Sequence, residues 1–261
     1  EFLRFVLAPG DNEEIFQMVF EAFNLAERYQ TPVIIMLDKF LSESSMSCGN
    51  LSVDKFTVDR GKIADPSKLK RSKNYQRYQL TDDGVSERSL PGMVNGVFCA
   101  NSDEHEYHGL VDESSSMRVW QVDKRLKKMD IASKMMPGPQ LIGPKDANTT
   151  IITWGSGKLA GMQAMEIVNR EQRTENSINI LHFSYIWPMN VKAVSQALKS
   201  CGKSTLLIEQ NATGQFQSLL KEQTGWEPTA YLRKYDGRPF YAEEIVEYIG
   251  TLEHLNMRTF E

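Results

Sequence analysis

The densest ionisable chemistry in the sequence is Ser102-Asp103-Glu104-His105-Glu106-Tyr107-His108-Gly109. Two histidines among three carboxylates could ligate a metal ion or share a proton as an acid–base pair. Only Glu106 and Tyr107 separate the histidines, which is too close for the helical spacing of a zinc protease. Two readings stay open: an active-site edge, or a hydrogen-bonded loop positioned by Gly109. A second pattern is Gly155-x-Gly157-x-x-Ala160, which follows the apolar run Ile151-Ile-Thr-Trp154. Glycines between a strand and a helix let a pyrophosphate approach the helix start. A dinucleotide site also needs a carboxylate about 20 residues on, at the end of the next strand. That strand, 178–183, runs into Ser184-Tyr-Ile-Trp-Pro188 without one, which favours a sharp structural turn.

Two further groups sit where other predicted strands finish. Asp38, with Ser42-Glu43-Ser44, ends one run, and Glu209-Gln210-Asn211, with Gln215 beyond, ends another. Carboxyl ends of strands face the ligand crevice in open α/β sheets. Capping the next helix is the simpler role for the same side chains. A basic run, with Lys68, Lys70, Arg71, Lys73 and Arg77 beside Tyr75 and Tyr78, has the mixture used on nucleic acid. It is short and flanked by acidic residues, so it reads as a solvated excursion.

The elements that must hold these groups follow from periodicity. Residues 2–7 form an apolar strand, Asp11 or Asn12 starts a helix reaching about Gln30, and 32–37 is an apolar run. With apolar residues on both faces, 32–37 predicts a central strand of a parallel sheet. Residues 45–100 lose regularity, with a turn between short strands at 58–62, and 116–129 reads as a charged helix. Pro137-Gly138-Pro139 and Gly143-Pro144 make a linker, dividing the chain into domains 1–145 and 146–261. The second domain shows strands at 151–154, 178–183 and 205–209 and helices at 159–169, 191–200 and 215–224. Both parts are α/β with mainly parallel sheets.

Composition bounds the function. The 261 residues are 41% hydrophobic and 25% charged, with a net charge of −4, as in an ordinary soluble globular protein. The acidic balance gives no long-range pull toward nucleic acid or anionic membrane. No apolar run approaches the roughly 20 residues of a membrane span. Glu1-Phe-Leu-Arg-Phe-Val-Leu7 has no secretory-signal pattern and no initiator Met, which suggests a fragment, a processed subunit or an excised domain. Cys48, Cys99 and Cys201 are odd in number and widely spaced. They read as reduced cytoplasmic thiols rather than ligands of a metal cluster held by this chain alone.

Several phrases, in order, carry a resemblance: Ala8-Pro-Gly-Asp11, Ala22-Phe-Asn-Leu-Ala-Glu-Arg-Tyr-Gln-Thr-Pro-Val33, Leu37-Asp-Lys-Phe-Leu41 and Ser86-Glu-Arg-Ser-Leu-Pro-Gly92. Asp103-Glu-His-Glu106, Ile152-Thr-Trp-Gly-Ser156, Glu209-Gln-Asn-Ala-Thr-Gly-Gln215 and Lys234-Tyr-Asp-Gly-Arg-Pro-Phe240 continue it. The set resembles the alpha subunit of 2-oxoacid:ferredoxin oxidoreductases, most of all the 2-oxoglutarate type. The resemblance implies a pyrimidine-type thiamine diphosphate domain followed by a domain like the C-terminal domain of transketolase. It implies oxidative decarboxylation of a 2-oxo acid to acyl-CoA and CO2, with electrons passed to ferredoxin.

Thiamine diphosphate and Mg would be shared with or held by a beta subunit, an iron–sulfur cluster would lie in that partner, and coenzyme A would be the co-substrate. The family's pyrimidine domain begins upstream of anything like Glu1, so the resemblance implies a chain lacking that segment, inactive alone and carrying no assignable catalytic residue. Arg88 and Asp103, Glu104, His105 and Glu106 are the positions it places nearest a cleft or subunit interface, joined by Asp38, Glu209, Asn211 and Gln215. A non-catalytic assembly module and an NAD(P)-binding domain using Gly155 to Ala160 remain as rivals.

Overall fold

The computed structural model describes residues 2–49, 51–72, 74–171 and 177–258. The chain divides into two compact units, each assembled from separate segments. The first comprises Glu1–Phe5, Phe20–Ile34 and Ser52–Met135; the second comprises Val6–Val19, Ile35–Leu51 and Met136–Glu261.

Strand β1 is Phe5–Leu7, and the helix after it, α1, is Asn12–Tyr29. Glu13 and Glu14 in the first turn of α1 and Arg28 in the last match the helix dipole. Strand β2 is Val33–Ile35, and the five-residue α2, Lys39–Glu43, begins where Asp38 accepts the Leu41 N–H. The run 32–37 is not a buried central strand. Only Val33–Ile35 is extended, and Ile34, Met36 and Leu37 are 39%, 41% and 42% exposed. An apolar β-branched run specifies extended backbone, but the sequence does not show whether another layer covers its faces.

Within the first unit, the further described helices are a short 3-10 turn at Val53–Lys55, α3, Pro66–Arg71, and α4, Ser115–Met135. Asp65 caps α3, and its basic residues Lys68, Lys70 and Arg71 fall in the last turn. Lys73 of the basic run lies outside the described residues, and the Arg77 guanidinium sits 5.1 Å from the Tyr78 ring centroid and 5.6 Å from that of Phe98. Among the described residues no strand forms beside the turn at 58–62; an isolated bridge joins Ile63 to Arg88. Side chains hold these loops instead, as where Asn95 Nδ2 donates to the carbonyls of Leu69 and Ser72 at 3.2 and 3.0 Å.

The second unit is built on a sheet of five strands. Its elements in order are β3 (Gln140–Ile142), β4 (Thr149–Trp154), α5 (Gly157–Glu171), β5 (Ile178–Phe183), β6 (Tyr185–Trp187) and α6 (Val191–Lys199). Then come β7 (Ser204–Glu209), α7 (Gln215–Thr224), β8 (Ala230–Arg233) and α8 (Ala242–Arg258). The spatial order is β3-β5-β4-β7-β8, with β4, β5, β7 and β8 mutually parallel and β3 antiparallel at the edge. So the stretch read as linker contains a strand of this sheet between its two Pro/Gly clusters. Two apolar clusters cover the sheet's two faces. On one, Ile152, Leu181 and Leu207 pack with Val194 and Leu198 of α6 and Phe216 and Leu220 of α7. On the other, Ile151, Ile180 and Leu206 pack with Ala164 and Val168 of α5 and Ile245 and Ile249 of α8. After β4 the chain adds β5 on one side and later returns to add β7 on the other, so the order reverses between β4 and β7. That reversal leaves a crevice at their carboxyl ends.

Candidate functional site

The crevice gathers residues from three places in the sequence, all in the second unit. Met36, Leu37, Asp38 and Leu41 form one wall, Thr153 to Gly157 the floor, and Ile208, Glu209, Gln210 and Phe240 the other wall of a cavity of about 160 Å³. Asp38 reaches the glycine turn directly: the Ser156 hydroxyl donates to its Oδ2, while its Oδ1 accepts the Leu41 N–H at 2.9 Å. Glu209, at the end of β7, accepts the Phe216 N–H at 2.9 Å, the Asn211 amide at 2.6 Å and the Gln217 N–H at 3.3 Å. Asn211 Oδ1 in turn accepts the N–H groups of Gly214 and Gln215 at 2.7 and 3.1 Å. These two side chains therefore satisfy the exposed donors at the start of α7, where the N-cap Gly214 has none to offer. Asp38 and Glu209 are thus brought to one cavity, Asn211 supports Glu209, and Gln215 joins through its backbone.

A second cluster beside this crevice went unread in the sequence. Lys158, in the first turn of α5, is 8% exposed and donates at 2.5 Å to both Asp11 Oδ2 and Glu14 Oε1. Glu14 also accepts the Gly10 N–H at 2.7 Å and the Ser184 hydroxyl at 3.1 Å. Burial opposes charge on Lys158 and Asp11, yet their mutual hydrogen bond prevails, raising the pKa of Lys158 and lowering that of Asp11. His182 completes the group, fully buried with Nδ1 3.3 Å from the Ser184 hydroxyl, and burial pushes its pKa down to about 4. One signal could have found the cluster: a lysine directly after Gly155-Ser-Gly157 sits at a helix start, where the dipole disfavours a cation unless carboxylates face it.

The remaining candidates lie in the first unit. Arg88 pairs with Glu27, which also takes Arg60 at 3.1 Å. Glu104 accepts from Arg118 at 2.8 Å and from both Arg125 nitrogens at 3.1 and 2.7 Å. The Arg125 hydrogen bond outweighs burial and, with Arg118, holds the Glu104 carboxyl at about 2. Glu106 accepts from His108 Nδ1 at 2.7 Å and from the backbone of His108 and Leu110. The His105 ring lies 3.9 Å from that of Tyr78, and Asp103 is exposed, its N–H bonded to Asn101. The patch is a folded loop in which Glu104 and Glu106 are answered by neighbours, and its two histidines do not share a ligand geometry.

Glu104 should shape the acid limb of stability. Its folded pKa lies below the ordinary 4.5, so its contribution is full above that value and fades as pH falls toward about 2. Urea unfolding of the wild-type chain is expected to weaken across that window, and Glu104→Gln to flatten the decline. An unchanged slope in the variant would remove Glu104 from the account.

Among the described residues no group of three or more His, Cys, Asp or Glu side chains could hold a metal ion. Lys158, the cation at the glycine turn, is already engaged by Asp11 and Glu14. These residues offer no built seat for a metal-bound diphosphate. No described helix is long and apolar enough to cross a membrane.

Residues 1–125 match the family described as pyruvate flavodoxin/ferredoxin oxidoreductase, thiamine diphosphate-binding. The likeness to individual proteins runs over nearly the whole chain. The chain is 35% identical over 255 residues to the 2-oxoacid:ferredoxin oxidoreductase subunit alpha of Saccharolobus solfataricus, covering 95% of this chain and 39% of that protein. It is 24% identical to the 2-oxoglutarate synthase subunit KorA of Methanothermobacter thermautotrophicus, covering 93% of this chain and 62% of that one. Among solved structures it matches 2-oxoglutarate:ferredoxin oxidoreductase from Magnetococcus marinus, with 2-oxoglutarate, coenzyme A and succinyl-CoA bound. That match has a TM-score of 0.83 and 27% identity over 95% of this chain and 42% of that one. The chain is thus similar to 2-oxoacid:ferredoxin oxidoreductase alpha subunits over nearly its whole length, as its phrases implied, and spans 39% of the length of the first of these relatives.

Proposed function

We propose that the chain is part of the alpha subunit of a thiamine-diphosphate-dependent 2-oxoacid:ferredoxin oxidoreductase. In this reading it works with a beta subunit in converting a 2-oxo acid, with coenzyme A, to acyl-CoA and CO2, passing electrons to ferredoxin. The preferred substrate is 2-oxoglutarate. The likeness of nearly the whole chain to an enzyme structure with 2-oxoglutarate and coenzyme A bound is the observation that carries this reading. Thiamine diphosphate, when bound, supplies the carbanion stabilisation that decarboxylation needs. With it we assign Mg and the iron–sulfur cluster to the beta subunit, the complex to the cytoplasm, residues 1–145 to the pyrimidine-type domain and 146–261 to the transketolase-like one. Arg88 and the loop from Asp103 to Glu106 border the cleft or the subunit interface.

A second reading, an assembly module contributing surface and no chemistry, draws on one fact. Arg88, Glu104, Glu106, Asp38, Glu209 and Asn211 are all engaged by partners within their own unit. The test is the full-length alpha subunit mixed with its beta subunit, assayed by viologen dye reduction with coenzyme A and 2-oxoglutarate. Activity is expected only with both subunits present; none with any 2-oxo acid would overturn the proposal. Arg88→Ala separates the readings, raising KM if it borders the cleft and changing only subunit association if the module is structural.

A further inference from the structure

The inward stripe of α4 carries two lysines where apolar residues belong. Met117, Gln121, Lys128 and Ala132 are each less than a tenth exposed, and the half-buried Lys124 falls between them at the same helical spacing. The loop 81–86 rests directly on this stripe: a side chain at Gly84, where φ is +72°, would strike the Lys124 carbonyl. Lys124 Nζ donates at 2.5 Å to Ser86 Oγ, whose own proton goes to the Gln79 carbonyl at 2.7 Å. Ser86 therefore cannot donate back to a neutral amine, and the lone pair of Nζ stays free of it. Ser86 and Gln79 also line a cavity of about 200 Å³, so a small molecule comes within one hydrogen bond of Nζ.

The charges around Lys124 are mostly positive. Lys128, Arg77 and Arg125 face it, opposed by Asp83. Asp83 is itself engaged by Lys62 at 2.5 Å, and Arg125 by Glu104. Lys128 has a neutral partner, the Gln30 carbonyl at 3.3 Å, and Arg77 lies over the rings of Tyr78 and Phe98. Burial, and after it the cations, lower the Lys124 amine to about 7, so much of it is neutral near that pH. A desolvated lysine beside other cations is an activated nucleophile, and the same cations stabilise an anionic product. We infer that Lys124 is a carbamylation site, reversibly taking up CO2 as a carbamate held in the positive field of Lys128 and Arg77. Nζ attacks the carbon of CO2, one C–O π pair moves to oxygen, and a proton leaves nitrogen for water, giving R–NH–COO− and H+. One cation of the cluster becomes an anion, and the remaining N–H keeps its bond to Ser86. The site stands independently of the proposed activity.

Triethyloxonium alkylates a carbamate oxygen and makes the adduct permanent, so mass spectrometry of a digest locates it. With the full chain equilibrated in bicarbonate near neutral pH, the adduct is expected on Lys124. Lys39 and Lys134, whose side chains are 83% and 69% exposed, should carry at least about tenfold less, because an ordinary lysine of pKa about 10.4 is almost wholly protonated there. The α-amino group, of pKa about 7.7–8.0, is the internal control for trapping. Lys128→Met should lower the Lys124 occupancy several-fold at constant dissolved CO2, since losing that cation both favours the protonated amine and weakens the field around the carbamate. An adduct on the α-amino group with none on Lys124, equal adducts on Lys39 and Lys124, or undiminished occupancy in Lys128→Met would each overturn the proposal. The first two outcomes need no variant to fold.

Discussion

Lys158→Met is expected to destabilise the second unit by about 3–5 kcal/mol, because it leaves Asp11 and Glu14 charged and buried with no cation. The estimate rests on burial and contact together: Lys158 is 8% exposed and donates to both carboxylates at 2.5 Å. An exposed pair such as Lys39 with Glu43, 3.9 Å apart on α2, contributes about 0–1 kcal/mol, so the two classes are easily separated. The cluster as a whole need not be stabilising. Replacing all three charges, as Asp11→Asn, Glu14→Gln and Lys158→Met together, should recover most of the loss, since the penalty comes from unpaired charge. Urea unfolding followed by far-UV circular dichroism checks both. A single-variant loss near that of an exposed pair would show that water reaches the cluster.

Phe183→Ala is expected to cost about 3–5 kcal/mol, the usual range for truncating a buried aromatic. Phe183 closes β5 at 1% exposure, and its ring meets Phe216 of α7 edge-on, with centroids 4.9 Å apart. Removing it opens a void between the sheet and α7 that stiff neighbours such as Ile152 and Leu207 cannot fill. Phe23→Ala is the control: at 70% exposure its effect should stay within about 0.5 kcal/mol. Similar losses in the two variants would mean that α7 is not held by this contact.

Much of the second unit was legible because its strands are short, apolar on both faces and punctuated by glycine. Residues 178–183 and 215–224 coincide with β5 and α7. What was missed has more than one cause, and α8 went unread despite its 17 residues. β3 and β8 are only three and four residues long, too brief for any period to register, and β3 hides between prolines. The run at 32–37 carried a clear strand signal, but propensity is silent on what covers a strand. The site divided likewise. Asp38 and Glu209 could be placed at one crevice because strand ends can be predicted from the apolar runs before them. Lys158 was overlooked because its significance depends on Asp11 and Glu14, neither of which is near it in sequence.

The segment Val6–Val19 belongs to the second unit although most of that unit lies beyond Met136, and this has a kinetic consequence. Glu14 meets Ser184 across 170 residues of chain. During synthesis at about 5–20 residues per second, that N-terminal segment must wait many seconds for the strands it joins. Until then Glu14 lacks Lys158 and Ser184, and contacts of such long range form slowly. The interval before β5 and α5 emerge is when this chain is most open to capture by chaperones.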